Sequence, residues 1–275
     1  MAREQQQRIV SLAPSVTSIL IALGARRQLV GVSRWCPEVA DVGDLPRLGD
    51  CWALEPESVA KLRPTLVVGS VPYRQETVAK LLELPLAFFA MNPRTLADIY
   101  ADIFLLGRLT KRDASARKLV RRMRAEFGAI RKLARRAAAP RSKNRLRVYC
   151  EAWPHPRISS PPWVAELVEI AGGEMVVPSG KRVTDRQVAE AQPDTIVLAW
   201  AATGAKSDPQ QAFNVEAWRD VPAIRERRVF AVRDELLNTP GPPLVAGARE
   251  LLGLLHPSAS PRTSHRRRDA GRPVK

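Results

Sequence analysis

Two stretches of this chain repeat one pattern, and that repeat limits the folds open to it. Val59-Ala60-Lys61-Leu62-Arg63-Pro64 runs into Thr65-Leu66-Val67-Val68. Val188-Ala189-Glu190-Ala191-Gln192-Pro193 runs into Asp194-Thr195-Ile196-Val197-Leu198. Each reads as a short helix, a Pro turn and a buried parallel strand. A unit used twice in 275 residues predicts two similar α/β lobes, each large enough for its own core. The cleft between two lobes is the expected place for a ligand.

Between the repeats, residues 112–139 contain no Pro, and Ala116, Val120, Met123, Phe127, Ile130, Ala134 and Ala137 recur at spacings of three and four. That is one apolar stripe on a helix otherwise covered in Arg and Lys. Such a helix would be about 40 Å long, and Pro140 would end it. On either side, apolar strand segments alternate with helical ones. The first half offers Arg8–Leu12, Leu29–Val32, Leu66–Val68 and Leu86–Phe89 as strands. The second offers Leu146–Cys150, Met175–Val177, Thr195–Ala199 and Val229–Val232. Ser15 or Thr17 is available to cap the first helix, and Gly24 to end it. The alternation predicts an α/β fold of two Rossmann-like parallel-sheet lobes joined by a single long backbone helix. The expected division is an N-terminal lobe over 1–107, a linking helix over 108–140, a C-terminal lobe over 141–257 and a disordered basic tail over 258–275.

The net charge of +16 is concentrated. Residues 108–147 carry 16 Lys or Arg against Asp113 and Glu126, and residues 258–275 carry six against Asp269. The lobes are therefore close to neutral, and specific nucleic-acid binding is not expected. No apolar run approaches the roughly 20 residues that span a bilayer. The polar start, Met1 to Arg8, leaves no room for a signal peptide before the first strand, which reads as cytoplasmic. A start site further upstream would instead give a periplasmic or cell-surface protein. A monomer is expected.

Cys36, Cys51 and Cys150 form no C-x-x-C and no disulfide framework. Cys150 falls in a buried strand, whereas Cys36 and Cys51 fall in loops where they can approach each other. With three His and no G-x-S-x-G, Walker A, G-x-G-x-x-G or H-E-x-x-H, the chain reads as non-enzymatic, without a metal site or cofactor. Of six Trp, Trp35, Trp52, Trp153 and Trp200 sit in loops that follow strands or precede helices. In open parallel sheets the ligand crevice lies at the carboxyl ends of the strands. Flat aromatics from two lobes suit a large planar ligand.

Arg8-Ile-Val-Ser-Leu-Ala-Pro-Ser-Val-Thr-Ser-Ile-Leu-Ile-Ala-Leu-Gly24 resembles the opening of the cobalamin-binding and iron-complex-binding proteins of ABC importers. Leu29-Val-Gly-Val-Ser33, Leu48-Gly-Asp50, Trp163-Val-Ala-Glu-Leu-Val-Glu-Ile-Ala-Gly-Gly173 and Pro193-Asp-Thr-Ile-Val197 continue the likeness over residues 8–256. The resemblance implies a protein that holds cobalamin, or else haem or a ferric siderophore, and delivers it to ABC permease subunits. It places Pro14 and Ser15 in the cleft, Trp52 within one position of a ligand-stacking Trp, and Trp153, Pro154 and His155 in the loop giving second-lobe contacts. His155 would be the candidate for axial contact with a cobalt or iron. Arg34, beside Trp35, and Arg157 are the candidate cations of the cleft loops. The family's permease-docking Glu would be Glu57 in the first lobe. In the second lobe Arg186 stands where Glu is usual, leaving Asp185 as the substitute. That departure keeps open a cytosolic homologue with a carrier or regulatory role.

Overall fold

The computed structural model describes residues 7–138, 145–201 and 207–259. The expected disordered tail lies outside these apart from its first residues, as does Pro140. Ile9, Val10 and Ser11 are buried on every side, so the first strand, β1 (Ile9–Ser11), is the centre of a sheet covered on both faces. Around it lie β2 (Leu29–Ser33), β3 (Arg47–Leu48), β4 (Leu66–Ser70) and β5 (Ala87–Met91), all parallel, in the order β3-β2-β1-β4-β5. The two-residue β3 falls inside what the sequence offered only as a loop. Helices α1 (Pro14–Ala22), α2 (Pro56–Ala60), α3 (Gln75–Leu82) and α4 (Leu96–Leu109) complete this lobe. Thr95 and Asp98 close a capping box at the start of α4.

The long helix α5 spans Asp113–Ala137. Its buried residues include Ala116, Val120, Met123, Phe127, Ile130 and Ala134, the stripe read from the spacing apart from Ala137, which is half-buried, with Leu119 added. It packs against α4 of the first lobe and against α6 and α11 of the second. The second lobe holds β6 (Leu146–Pro154), β7 (Arg157–Ser159), α6 (Pro162–Ile170), β8 (Gly173–Met175), α7 (Asp185–Glu190), β9 (Thr195–Leu198), α8 (Gln210–Phe213), α9 (Pro222–Arg225), β10 (Val229–Ala231), α10 (Asp234–Asn238) and α11 (Leu244–Leu255). Strands β10, β9, β6 and β8 are mutually parallel along their pairings, while β7 runs antiparallel along the far end of β6.

The duplication extends to single backbone angles. Gly24 and Gly172 follow α1 and α6 with φ of 76° and 91°, the left-handed stop that Gly accepts. Arg63 and Gln192, each just before the repeated Pro, take φ of 44° and 41°. Arg8, leading into β1, donates from Nη2 to Leu62 O at 2.8 Å, and Arg147, leading through β6, donates from Nη2 to Ala191 O at 2.8 Å. Each Arg holds the carbonyls at the end of a short helix whose turn is otherwise strained for a non-Gly residue.

One local expectation needs correction. Neither Ser15 nor Thr17 caps α1: Ala13 occupies the cap position without a side-chain bond, and Pro14 starts the helix. Thr17 Oγ1 instead lies 2.7 Å from Ser11 Oγ and 3.0 Å from Cys36 Sγ, inside the core. Cys36 and Cys51 do not pair; all three cysteines are buried and free. Burial pushes the Cys51 and Cys150 thiols up to about 12, which keeps them unreactive packing groups.

Candidate functional site

The carboxyl ends of β1 and β2 present Pro14, Ser15, Arg34 and Trp35, with Trp52 on the loop beyond β3. Ser15 is buried and Pro14 half-buried on the first turn of α1, while Arg34 is exposed. Asp50, which no motif singled out for a role, organises the aromatic loop. Its Oδ2 accepts from Trp35 Nε1 at 2.8 Å, and its Oδ1 accepts from the backbone N–H of Trp52 and of Ala53, each at 3.0 Å. An Asp that bonds the backbone two and three residues on is a turn signal legible in the sequence. Trp52 is left 55% exposed by that turn.

In the second lobe β6 runs four residues past the expected end and turns at His155-Pro156 into β7. Trp153, on the outgoing strand, is 41% exposed, and its Nε1 donates to His155 O at 2.9 Å. His155 stands exposed in the turn. Beneath this hairpin lies a polar core. Glu151 is fully buried and accepts from Tyr149 Oη at 2.7 Å, Trp200 Nε1 at 2.9 Å and Arg157 Nη1 at 2.8 Å. Arg157 reaches on to Asp185 through Nε and lies over the Trp218 ring at 4.2 Å. Trp218 Nε1 closes the circuit on Asp185 O at 2.9 Å. Burial lowers the Arg157 pKa, but Glu151 and Asp185 outweigh it and hold the guanidinium above its ordinary value. Burial, then the Glu151 charge, raises the Tyr149 hydroxyl well above its usual range. A cavity of about 100 Å³ sits beside the circuit, lined by Glu151, His155, Arg157, Trp200, Asn214 and Trp218 among others.

This circuit changes the standing of three expected site residues. Trp200 is only 6% exposed and its N–H is taken by Glu151, so it offers no open face for stacking. Arg157 is committed to two carboxylates rather than displayed to a ligand. Asp185 does begin α7, but Arg157 neutralises its charge. Arg186 pairs outward with Glu190. In the first lobe Glu57 is exposed on the first turn of α2.

The carboxyl ends of the two sheets meet. Carboxylate atoms of Glu38, after β2, and of Asp234 and Glu235, after β10, lie within 4.8 Å of one another. Arg233 pairs with Glu235 and partly balances the group. Burial and then the Glu235 charge raise the Glu38 carboxyl. Nearby, Gly241 approaches α1 so closely that a Cβ there would sit 3.2 Å from Ser18 Oγ. The lobes are also tied by Leu96 N–H donating to Glu166 Oε1 at 2.8 Å. None of these cross-lobe partners carries a sequence signal, because each pair is brought together only by the docking of the lobes.

Residues 9–236 match the family described as periplasmic binding protein. The chain is 24% identical over 265 residues to an ABC transporter substrate-binding lipoprotein of Bacillus subtilis, YvrC, covering 93% of this chain and 82% of that one. It is 24% identical over 250 residues to the vitamin B12-binding protein of Vibrio parahaemolyticus, covering 88% and 86%. Among solved structures it is similar to the periplasmic haem-binding protein RhuT from Roseiflexus sp. RS-1, with 26% identity, a TM-score of 0.76, and 93% and 100% of the two chains covered. The two parallel-sheet lobes, the single long helix between them and the match over most of the length place this chain in the periplasmic binding protein family, among substrate-binding proteins whose members include vitamin B12-binding and haem-binding proteins.

Proposed function

We propose that this protein holds a corrinoid of the cobalamin type between its lobes and passes it, chemically unchanged, to an ABC importer. The observation that carries this reading is the pair Trp52 and Trp153. Trp52 follows β3 and Trp153 lies near the end of β6, and both stay exposed, where most large apolar side chains are buried. A flat ligand between them would cover both rings. His155, in the turn beside Trp153, offers an imidazole to a cobalt or iron. With Arg157 committed to Glu151 and Asp185, Arg34 is the one remaining candidate cation of the cleft loops, which favours a neutral corrinoid over haem or an anionic ferric siderophore. Glu57 is the docking residue toward the permease. The protein would act where relatives named periplasmic or lipoprotein act, outside the cytoplasm.

Neutralisation of Asp185 supports a second reading, a carrier without a permease, since only one lobe then presents a free docking carboxylate. Tryptophan fluorescence titrated with cyanocobalamin, and in parallel with haem and a ferric siderophore, separates the ligands. Saturable quenching by cyanocobalamin that disappears in Trp52→Ala is the expected result. Binding of haem or siderophore alone would overturn the corrinoid reading. Uptake unchanged by Glu57→Arg would favour the carrier, and fractionation of cells producing the protein from its native locus tests the compartment.

A further inference from the structure

The face of α5 turned away from both lobes lies apart from the candidate site. Nine of its 25 residues are Arg or Lys, and all nine are exposed. Its two acids are already engaged: Asp113 lies 3.9 Å from Arg108, and Glu126 pairs with Arg249. Among the described residues none of the nine cations has a carboxylate partner. The helix is about 37 Å long, so these charges form one extended strip. Burial of the opposite stripe against α4, α6 and α11 fixes the strip outward over both lobes. A strip of unpaired like charge is self-repelling, and an anionic partner relieves that repulsion.

Exposed apolar side chains border the strip. Leu133 lies on α5 itself, and Phe104 lies on the neighbouring α4. Arg124 lies over the Tyr100 ring at 4.8 Å, and Phe104 is one turn beyond Tyr100 on the same side of α4. Cations bordered by Phe and Leu on a long, outward helix match the interface of an anionic bilayer, where Lys and Arg meet headgroups and apolar tips enter the acyl boundary. A nucleic acid would use the cations but gain nothing from Leu133 and Phe104. We propose that the outer face of α5 is a docking surface for anionic phospholipid headgroups. This stands on observations separate from those that identify the ligand.

The test is co-sedimentation of the full chain with phosphatidylcholine vesicles, with and without phosphatidylglycerol, and competition by duplex DNA. Binding should need phosphatidylglycerol and fall at least about tenfold between low and high salt, as screening shortens the Debye length. The variant Lys118→Glu/Arg121→Glu/Lys132→Glu/Arg136→Glu, all at exposed positions and checked for an unchanged circular dichroism spectrum, should lose that binding. Phe104→Ser/Leu133→Ser should weaken it while leaving the salt dependence in place. Undiminished binding by the reversed-charge variant would assign the membrane contact to the basic sequence after residue 260 and overturn the proposal. So would no preference for phosphatidylglycerol, or full displacement from vesicles by duplex DNA with Phe104 and Leu133 immaterial.

Discussion

Arg157 donates from Nη1 to Glu151 at 2.8 Å, and this pair joins the hairpin bearing Trp153 to the core of the second lobe. Glu151 is fully buried and takes two further hydrogen bonds, so its negative charge is tolerable only while Arg157 is present. Removing one partner of a buried pair leaves an uncompensated charge and costs about 3–5 kcal/mol. Arg157→Met should therefore lower the midpoint of urea unfolding strongly. Glu151→Gln/Arg157→Met, which removes both charges, should recover part of the loss. Equal midpoints for Arg157→Met and the wild type would show that the pair does not support the fold.

Trp52 and Trp200 are both loop tryptophans in the sequence, yet their truncation should separate two properties. Trp52→Ala removes an exposed ring and should leave stability within about 0.5 kcal/mol, while ligand-induced quenching is lost. Trp200→Ala empties a buried site and strands Glu151 without one of its donors. It should cost about 3–5 kcal/mol. Thermal melts and ligand titrations on the same two variants read both effects, and a Trp52→Ala protein as unstable as Trp200→Ala would contradict the exposure assigned here.

Asp102, on α4, is held up to about 6 from an ordinary 3.8, first by burial and then by the Asp98 charge, and its Oδ2 has no hydrogen-bond partner. The folded state thus binds its proton more tightly than the unfolded chain does. Between these two pKa values stability must fall as pH rises, with the full penalty present above about 6 and none below the unfolded value. Asp102→Asn should accordingly be more stable than wild type by about 1–3 kcal/mol near pH 8 and equal to it near pH 3. Denaturant midpoints across that range test the sign as well as the size.

Two helix glycines should respond to Ala in opposite directions. Gly107, on α4, lies against α5, where an added Cβ would sit 2.6 Å from the Ala116 Cβ. Overpacking of about 1–3 kcal/mol there exceeds the gain in helix propensity of about 1 kcal/mol, so Gly107→Ala destabilises. Gly128, on α5, has nothing within 4 Å of the same added atom. Gly128→Ala should raise stability by about 0.5–1 kcal/mol. Melting temperatures that shift the same way for both would refute the close approach of α4 and α5.

The architecture was legible in the sequence because the signals for it are local. Pro64 and Pro193, Gly24 and Gly172, and the spacing of Ala116 through Ala134 act through φ/ψ and through helical periodicity within a few residues of themselves. The same reach explains why β3 was missed: two residues carry no period. Which side chains the site can use depends instead on contacts between distant parts of the chain. Trp200 and Trp52 look alike in sequence, but Trp200 finds Glu151, 49 residues away, and is buried by it. The family resemblance offers Asp185 as a docking carboxylate, but Arg157, 28 positions earlier, takes its charge. Glu38 meets Asp234 and Glu235 only because two sheets encoded far apart present their carboxyl ends to each other. Ion pairing and burial depend on distance in space, and the residues that set that distance lie too far along the chain for any local pattern to specify.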